Sequence, residues 1–305
     1  MGGSGLLALN WIFKIKDTYD VNFILHKRLV HVKNAKSFVL DLSDLSEIDK
    51  IFRIVKPDIV VNTIALTDVD LCEEKPELAK NVNRNIPVAI AKICSKYKVK
   101  LVHISTDHLF EGNRKFVSEE SKPNPLNIYG KTKADAENDI LQTCPDSLVI
   151  RTNFFGWGLP YRKSFSDHII EALQNRKPLN MFYDVYFTPI FISDLIDLIH
   201  KLLDQKETGI FNVVCSDRIS KYDLSKILCE HFNLDKSLII KTSAKNYNTT
   251  VKRPQDLSLS NEKLKKTLGL KGLHLGESIE NFFAEDFKKI SNHDFRFLNN
   301  EYFFN

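Results

Sequence analysis

The sequence lacks the features of a membrane, secreted or nucleic-acid-binding protein. No apolar run approaches the roughly 18 residues that a membrane-spanning helix needs, and no signal peptide is visible. Its five cysteines are an odd number without a CxxC pair, so we expect reduced thiols, no metal site and a cytoplasmic protein. Because 43 basic residues are balanced by 39 acidic ones, no charge excess predicts binding to nucleic acid.

The glycine-rich opening lacks the strand that should precede it. Gly2, Gly5 and Ala8 are three residues apart, and a helical segment over 6–15 follows. This spacing suits a tight turn that brings a pyrophosphate to a helix N-terminus, although a flexible start is the alternative. Such a loop normally follows a buried strand of about five or six residues, and none stands before Met1. We therefore expect a truncated or mis-assigned start and an incomplete cofactor site.

Short apolar runs alternate with helical segments along the chain. This alternation is typical of an α/β protein with a doubly wound (Rossmann), mainly parallel sheet. The runs predict strands at 21–25, 37–42, 57–65, 99–104, 147–152 and 209–214. Helices are predicted at 6–15, 45–55, 77–97, 128–141, 165–174, from a cap at Ser193 or Asp194 to 203, and from a Ser220 cap to 232.

Hydroxyl, phenol and amine side chains follow one another in the middle of the chain. Ser105 and Thr106 come directly after the strand predicted at 99–104, where an open α/β sheet places its site. Tyr129 and Lys133 are four residues apart, so a helix puts them on one face. An ammonium beside the phenol would lower the tyrosine pKa from about 10 and make it a proton donor for a carbonyl. The alternative is a chance pair on a surface helix, with the hydroxyls capping a loop.

Segments 105–112 and 124–133 resemble the extended short-chain dehydrogenase/reductases. Within them they are most similar to the dTDP-4-dehydrorhamnose reductase group of dTDP-rhamnose biosynthesis. The resemblance implies reduction of a nucleotide-linked 4-keto-deoxysugar by NADPH, with NADH as the alternative cofactor. It implies that Tyr129 gives the proton, that Thr106 orients the carbonyl with help from Ser105, and that Lys133 holds the nicotinamide ribose.

The same resemblance assigns the cofactor contacts. Basic Lys27 and Arg28 stand where relatives that prefer NAD commonly carry an acid, so they favour a 2′-phosphate, unless they form a solvated turn. Asp41 matches an adenine-contacting position or, with Ser43 and Asp44, caps the helix over 45–55. The full predicted set is Gly2, Gly5, Leu6, Leu7, Lys27, Arg28, Asp41, Leu42, Ala65 and Lys133.

Four residues are expected to contact the substrate. His108 stands where related dehydratases carry a glutamate and where the reductases more often carry a tyrosine, which argues against dehydration. Asn153 and Phe154 leave the strand over 147–152 at a point where the family binds substrate. Arg253 precedes a proline and suits bidentate contact with a phosphate, or lies on the surface before a turn.

Residues 1–152, with 186–204 returning to them, are predicted to bind the dinucleotide, and residues 153–185 and 205–305 the substrate. A tail with aromatic Phe295, Phe297, Phe303 and Phe304 is expected to dock on the body or on a second subunit, giving a homodimer. Two other functions stay open. One is a non-catalytic NADP-binding subunit, similar to the β subunit of methionine adenosyltransferase, and the other is a nucleotide-sugar epimerase.

Overall fold

The structure, a computed structural model, describes residues 1–42, 44–159, 161–247, 250–285 and 295–297. Only the backbone is described for Leu45 and for Phe295–Phe297. Phe303 and Phe304 of the predicted docking tail lie outside the described residues.

The first half of the chain alternates helices and strands as predicted. In order its elements are α1 Leu6–Ile15, β1 Val21–Leu25, β2 Val30–Val32, β3 Ala35–Val39, α2 Leu45–Val55, β4 Ile59–Asn62, α3 Val69–Glu74, α4 Pro76–Lys80, a π-helical turn Asn81–Asn85, α5 Ile86–Tyr97, β5 Lys100–Ile104, α6 Ile128–Thr143 and β6 Leu148–Arg151. The bounds of α1, β1 and α2 agree with the prediction, because each has a clear apolar period between polar or glycine ends.

The second half contains shorter elements. They are β7 Phe154–Phe155, α7 Phe165–Gln174, β8 Leu179–Phe182, β9 Tyr186–Phe187, β10 Ile190–Phe191, α8 Ile192–Asp204, β11 Gly209–Asn212, β12 Ile219–Ser220, α9 Lys221–His231, β13 Ile239–Thr242, α10 Glu262–Leu268, α11 Leu275–Ala284 and β14 Phe295–Phe297, with short 3₁₀ turns at Lys236–Leu238 and Ala244–Asn246. The predicted cap of α9 is confirmed, since Ser220 accepts a hydrogen bond from the Asp223 amide.

A four-stranded parallel sheet in the order β11-β6-β5-β4 forms the centre of the molecule. A separate parallel pair, β1-β3, continues the same layer. Strands β1 and β4 are not paired with one another in the described chain, and α1 is its first element. The fold is therefore a doubly wound, mainly parallel α/β fold.

Helices cover both faces of this sheet and bury its strands. On one face Val102, Ile104 and Ile150 pack with α1 and α8. On the other face Leu101 and Val149 pack with α2, α5 and α6. Successive strand residues point to opposite faces, so the two clusters together account for the continuous apolar runs of the central strands.

Three predicted elements differ from the observed ones. The strand predicted at 37–42 is β3, and it is preceded by the unpredicted β2, which reaches β3 through a turn with Asn34 at φ 63°. The helix predicted at 77–97 is divided by the π-helical turn. This turn stands before Pro87, whose ring would otherwise clash with the carbonyl four residues earlier in a regular α-helix. Helix α8 has no side-chain cap, because strand β10 runs directly into Ile192.

The backbone of β14 pairs antiparallel with β2. Phe295 is aligned with Val32, and Phe297 with Val30. This part of the predicted docking tail therefore lies on the body of its own chain.

Candidate active site

Strand β5 and helix α6 bring the predicted hydroxyl and phenol groups together. Strand β5 ends at Ile104, so Ser105 and Thr106 lie at its carboxyl end. Helix α6 begins beside them, where the side chain of Asn127 caps the helix by accepting from the Gly130 amide at 2.9 Å. A Cβ on Gly130 would lie 2.3 Å from the backbone oxygen of His108, so only glycine permits this close contact of the helix with the loop.

Tyr129 and Thr106 form the centre of the site. Both side chains are buried, and the Thr106 hydroxyl donates to Asp107 Oδ1 at 3.2 Å. Burial raises the pKa of Tyr129 to about 12, against the smaller lowering effect of the neighbouring Thr106 hydroxyl. The expectation that Lys133 lowers this pKa is therefore wrong for the arrangement seen, in which the lysine amine is directed elsewhere. The phenol stays protonated at neutral pH.

The side chain of Lys133 extends to the carboxyl end of β5. Its Nζ donates to the Ile104 carbonyl at 2.7 Å and lies 3.1 Å from Nε2 of His103. Burial lowers the pKa of Lys133 to about 8, against an opposing effect from Glu137. Burial, together with Lys133, also lowers the pKa of His103 well below its ordinary value, so the imidazole is neutral.

His103 and Asn62, which the sequence did not single out, orient this lysine. Asn62 Oδ1 accepts from the Ile64 amide at 3.2 Å, so its amino group faces His103 Nδ1 at 3.1 Å. With a pKa of about 8, the Lys133 amine is mostly protonated at neutral pH and donates to the Ile104 carbonyl. His103 and Asn62 thus line the buried side of this amine.

Asn83 supports the site from the π-helical turn. Its Oδ1 accepts from the Leu66 amide at 2.7 Å, and its Nδ2 donates to the Leu66 carbonyl at 3.1 Å and to Thr132 Oγ1 at 3.2 Å. The side chain is fully buried. Asn83 thus ties the loop after β4 to helix α6, next to Lys133.

Two buried polar atoms of the site have no hydrogen-bond partner within the described chain, Ser105 Oγ and His108 Nδ1. The His108 ring stands edge-on to the Tyr129 ring, with centroids 5.7 Å apart. Burial lowers the pKa of His108, against the opposing effect of Asp107. A buried polar atom of this kind is satisfied when a bound molecule supplies the partner.

The substrate-side predictions fall around Asp107. Asn153 Nδ2 donates to Asp107 Oδ2 at 2.6 Å, and burial raises the pKa of this carboxyl group. Arg253 forms an ion pair with Asp70 at 2.6 Å. Phe154 packs against the central core in β7 and so has a structural contact besides any with substrate. Lys221, unpredicted, lies near enough to act electrostatically on His108 and to be acted on by Asp107 and Arg253.

The glycine-rich loop passes closely between β1 and β4 and then enters α1. Gly2 has φ +82°, and a Cβ there would lie 3.0 Å from Thr63 Oγ1. Gly5 is the N-cap of α1 and has no side chain to cap it, so the first backbone amides are available to an anion. The side chain of Leu7 is buried in the core, which leaves its backbone amide for such a contact.

The other predicted cofactor residues are arranged around this loop. Lys27 and Arg28 are exposed after β1, and the Arg28 guanidinium stacks on the Tyr161 ring at 4.0 Å. The Tyr161 hydroxyl donates to the Ser4 carbonyl at 2.8 Å. Asp41 is exposed, Leu42 is buried in the core, and Ala65 lies beyond the end of β4. The capping alternative for this segment is confirmed at Asp44, whose side chain caps α2, while the Asp41 amide donates to Glu47.

Within the described residues no group of three or more His, Cys, Asp or Glu side chains is placed to hold a metal ion. The same part of the chain contains no helix with the length and apolar character to cross a membrane.

Comparison with known proteins gives a consistent result. Residues 11–287 match the family model described as RmlD substrate binding domain. The chain is 29% identical over 273 residues to dTDP-4-dehydrorhamnose reductase of Salmonella typhimurium, covering 83% of this chain and 90% of that protein. It is 28% identical over 245 residues to methionine adenosyltransferase 2 subunit beta of Danio rerio, covering 77% and 75%.

Solved structures agree with the fold. A hypothetical dTDP-4-dehydrorhamnose reductase from Sulfolobus tokodaii superposes with a TM-score of 0.78 at 30% identity, covering 89% of this chain and 94% of that one. The dTDP-4-dehydrorhamnose reductase from Bacillus anthracis in complex with NADP has a TM-score of 0.82 at 23% identity, covering 93% and 96%.

Proposed function

Because the chain belongs to the RmlD substrate-binding-domain family, we propose that it is an NADPH-dependent reductase of a nucleotide-linked 4-keto-deoxysugar. The resemblance of segments 105–112 and 124–133 to the extended short-chain dehydrogenase/reductases is confirmed. The observation that carries the proposed reaction is the buried, neighbouring pair of Tyr129 and Thr106 at the carboxyl end of β5.

The residues present fit a dinucleotide. The close passage at Gly2 and the uncapped start of α1 suit a pyrophosphate, and the unpartnered Ser105 Oγ suits a polar group of the bound ring. Lys27 and Arg28 would hold a 2′-phosphate, which favours NADPH over NADH, and Lys133 would hold the ribose. When bound, the reduced nicotinamide supplies the hydride.

Tyr129 is the proposed proton donor. A pKa of about 12 keeps the phenol protonated at working pH, so it has a proton to give to an oxygen that gains charge. Thr106 holds that oxygen by a second hydrogen bond. Loss of the proton leaves a phenolate, which the neighbouring Thr106 hydroxyl would stabilise.

The substrate would lie between Tyr129 and the residues around Asp107. His108 supplies an unpartnered nitrogen, and Lys221 and Arg253 supply positive charge for a diphosphate. Because position 108 holds histidine, the carboxylate that a dehydratase needs there is absent. The proposed division assigns 1–152 with 186–204 to the dinucleotide and 153–185 with 205–305 to the sugar nucleotide.

The second candidate is a regulatory subunit that binds NADP without turnover. The similarity to methionine adenosyltransferase 2 subunit beta favours it. A stoichiometric partner in a pull-down, together with no NADPH oxidation on any keto sugar, would favour this regulatory function over the reductase.

The buried thiols fit a reducing compartment such as the cytoplasm. A homodimer is a further prediction, which light scattering on the purified chain tests.

Replacing Tyr129 by phenylalanine tests the proposed reaction. The variant Tyr129→Phe should lose at least about 100-fold in turnover of a nucleotide-linked 4-keto sugar, because general acid catalysis of this kind contributes about 10²–10⁴-fold. Its NADPH dissociation constant should stay within about twofold, since the ring remains. The matched control is Tyr97→Phe, which removes a hydroxyl that donates to Asp49 away from the site. A fully active Tyr129→Phe enzyme would refute the assignment.

A further inference from the structure

A tyrosine from the second half of the chain lies against the dinucleotide side of the first half. The Tyr161 hydroxyl donates to the Ser4 carbonyl of the glycine-rich loop at 2.8 Å, and the guanidinium carbon of Arg28 lies 4.0 Å from the centre of the Tyr161 ring. The neighbouring Arg162 donates to Thr67 Oγ1 at 3.1 Å, on the loop after β4. The segment that follows β7 therefore contacts the glycine-rich loop, the turn after β1 and the loop after β4.

The ring of Tyr161 is held in place by its surroundings. It packs against the apolar cluster that α1, β1 and β2 form with the buried Leu159. Burial raises the pKa of Tyr161 to about 12, against the lowering effects of Arg28 and Arg162, so the hydroxyl keeps its proton and stays a donor to Ser4 at neutral pH. A ring that is fixed by packing and by its hydroxyl offers a fixed face to a cation.

The hydrogen-bond donors of Arg28 are available to a ligand. Within the residues that the structure describes, its guanidinium forms no hydrogen bond and no ion pair, whereas Arg253 is paired with Asp70 at 2.6 Å. Stacking on a ring uses the face of a guanidinium, and its N–H groups point outward in the plane. A planar fork that is held in this way fits two oxygens of one phosphate group.

Stacking also orders the Arg28 side chain before any ligand arrives. Arginine has many rotamers, and fixing them on binding reduces the affinity for a ligand. Because the Tyr161 ring already holds the guanidinium, this loss of freedom occurs on folding instead of on binding. The gain goes only to a ligand that has an anionic group for Arg28 to contact, which NADPH has at its 2′ position and NADH lacks.

We propose that Tyr161 is a positioning residue for the choice of cofactor, and that it holds Arg28 where the guanidinium binds the 2′-phosphate of NADPH. The inference rests on the proposed function, in which Lys27 and Arg28 select that phosphate. It adds that the selection depends on a residue of the second half of the chain. Tyr161 thus serves the dinucleotide, although it lies within the range 153–185 proposed for the sugar nucleotide.

Calorimetric titration of the purified chain with NADPH and with NADH tests this role. The measured quantity is the NADH dissociation constant divided by the NADPH dissociation constant, called the selectivity ratio. Tyr161→Leu removes the stacking face and should lower the selectivity ratio by about 3–10-fold. Tyr161→Phe keeps the face and loses only the bond to Ser4, so both dissociation constants should rise together and the selectivity ratio should stay within about twofold.

Variants at other positions locate the effect. Arg28→Met should lower the selectivity ratio by about 10-fold or more, and adding Tyr161→Leu to it should lower the ratio no further, because the two side chains act as a unit. Tyr183→Leu is the matched control. Tyr183 lies between β8 and β9 with Lys241 over its ring at 4.9 Å, and its loss should leave the selectivity ratio unchanged.

The outcomes separate this inference from the proposed function. A wild-type selectivity ratio in folded Tyr161→Leu, with a lowered ratio in Arg28→Met, would overturn the positioning role alone. If Tyr161→Leu does not fold, Arg28→Lys decides, because lysine keeps the charge without the planar fork and should lower the ratio by about threefold or more. An unchanged ratio in Arg28→Lys would then overturn the role. A wild-type chain that binds neither dinucleotide, or binds both equally, would overturn the proposed NADPH preference and this inference with it.

Discussion

At the scale of single residues, Lys133 lies in a buried polar chain that other elements supply. Its Nζ contacts His103, from the interior of β5, and His103 contacts Asn62, from the end of β4. Sequence spacing predicts that Lys133 shares a helix face with Tyr129, and it does. Spacing does not predict that the amine turns toward an imidazole from a neighbouring strand, because that contact depends on how three elements pack.

The lowered pKa of Lys133 predicts a pH dependence of stability. Its pKa falls from 10.5 to about 8 on folding, so between these values the unfolded chain holds a proton that the folded chain has released. Stability therefore rises with pH through this window, and the contribution is on the order of 3 kcal/mol at most.

Urea unfolding at pH 7.5 and pH 10 measures this effect. As pH rises, the free energy of unfolding of wild type should increase relative to that of Lys133→Met. Relative to Lys131→Met it should stay constant. Lys131 is exposed on the same helix and is the matched control. A pH-independent difference for Lys133→Met would contradict the lowered pKa of the buried lysine.

At the scale of elements, the first turn of α6 fixes the distance between the phenol and the Thr106 loop. The Asn127 cap and the absence of a side chain at Gly130 let the helix start against the backbone of His108. The predicted helix and its start agree with the structure. The role of Gly130 was not predicted, because the strand-loop backbone that it touches is distant in sequence.

Adding a methyl group at Gly130 should disturb both stability and turnover. The new Cβ meets backbone at 2.3 Å, so Gly130→Ala should cost roughly 1–3 kcal/mol and reduce turnover by shifting Tyr129. The control Gly276→Ala lies in α11 with open space around it, and there alanine should be neutral or stabilise by up to about 1 kcal/mol. Thermal unfolding and NADPH oxidation measure the two effects, and equal behaviour of the two variants would exclude the close contact.

A buried ion pair joins α6 to β6 behind the site. Arg151 Nη2 lies 2.7 Å from Glu137 Oε2, and both side chains are almost fully buried. Removing one partner leaves the other charge buried, so Glu137→Gln should cost about 3–5 kcal/mol of the free energy of unfolding. The exposed pair of Lys236 and Glu230 is the comparison, since Glu230→Gln should leave the free energy of unfolding nearly unchanged. Urea unfolding distinguishes the two, and a small loss in Glu137→Gln would contradict this role.

At the scale of the whole molecule, the two halves of the chain meet at the site. Lys221 and Arg253 come from the second half, and Asp107 from the end of β5. The α/β class, most central elements and the hydroxyl-phenol-lysine group were predictable, because local period and spacing specify them. Lys221 was not, since a lysine that begins a capped helix has no sequence feature to separate it from a surface residue.

The proposed substrate role of the second half predicts a selective effect at Lys221. Lys221→Met should raise KM for the nucleotide sugar by roughly 10-fold or more, because charge-assisted contacts with phosphate contribute about 1.5–3 kcal/mol. The NADPH dissociation constant should not change. Lys226→Met, on the outer side of the same helix, is the control and should leave both constants unchanged. An equal rise in both constants for Lys221→Met would contradict the proposed division of the chain.

The five buried thiols have a practical consequence for the folded molecule. Cys72, Cys94 and Cys144 lie in the first half and Cys215 and Cys229 in the second, and none is disulfide-bonded. A small alkylating reagent reacts with each thiol only when the surrounding structure opens. Labelling rates at the individual cysteines therefore measure local opening in each half. The wild-type chain thus carries its own set of chemical reporters, without any engineered probe.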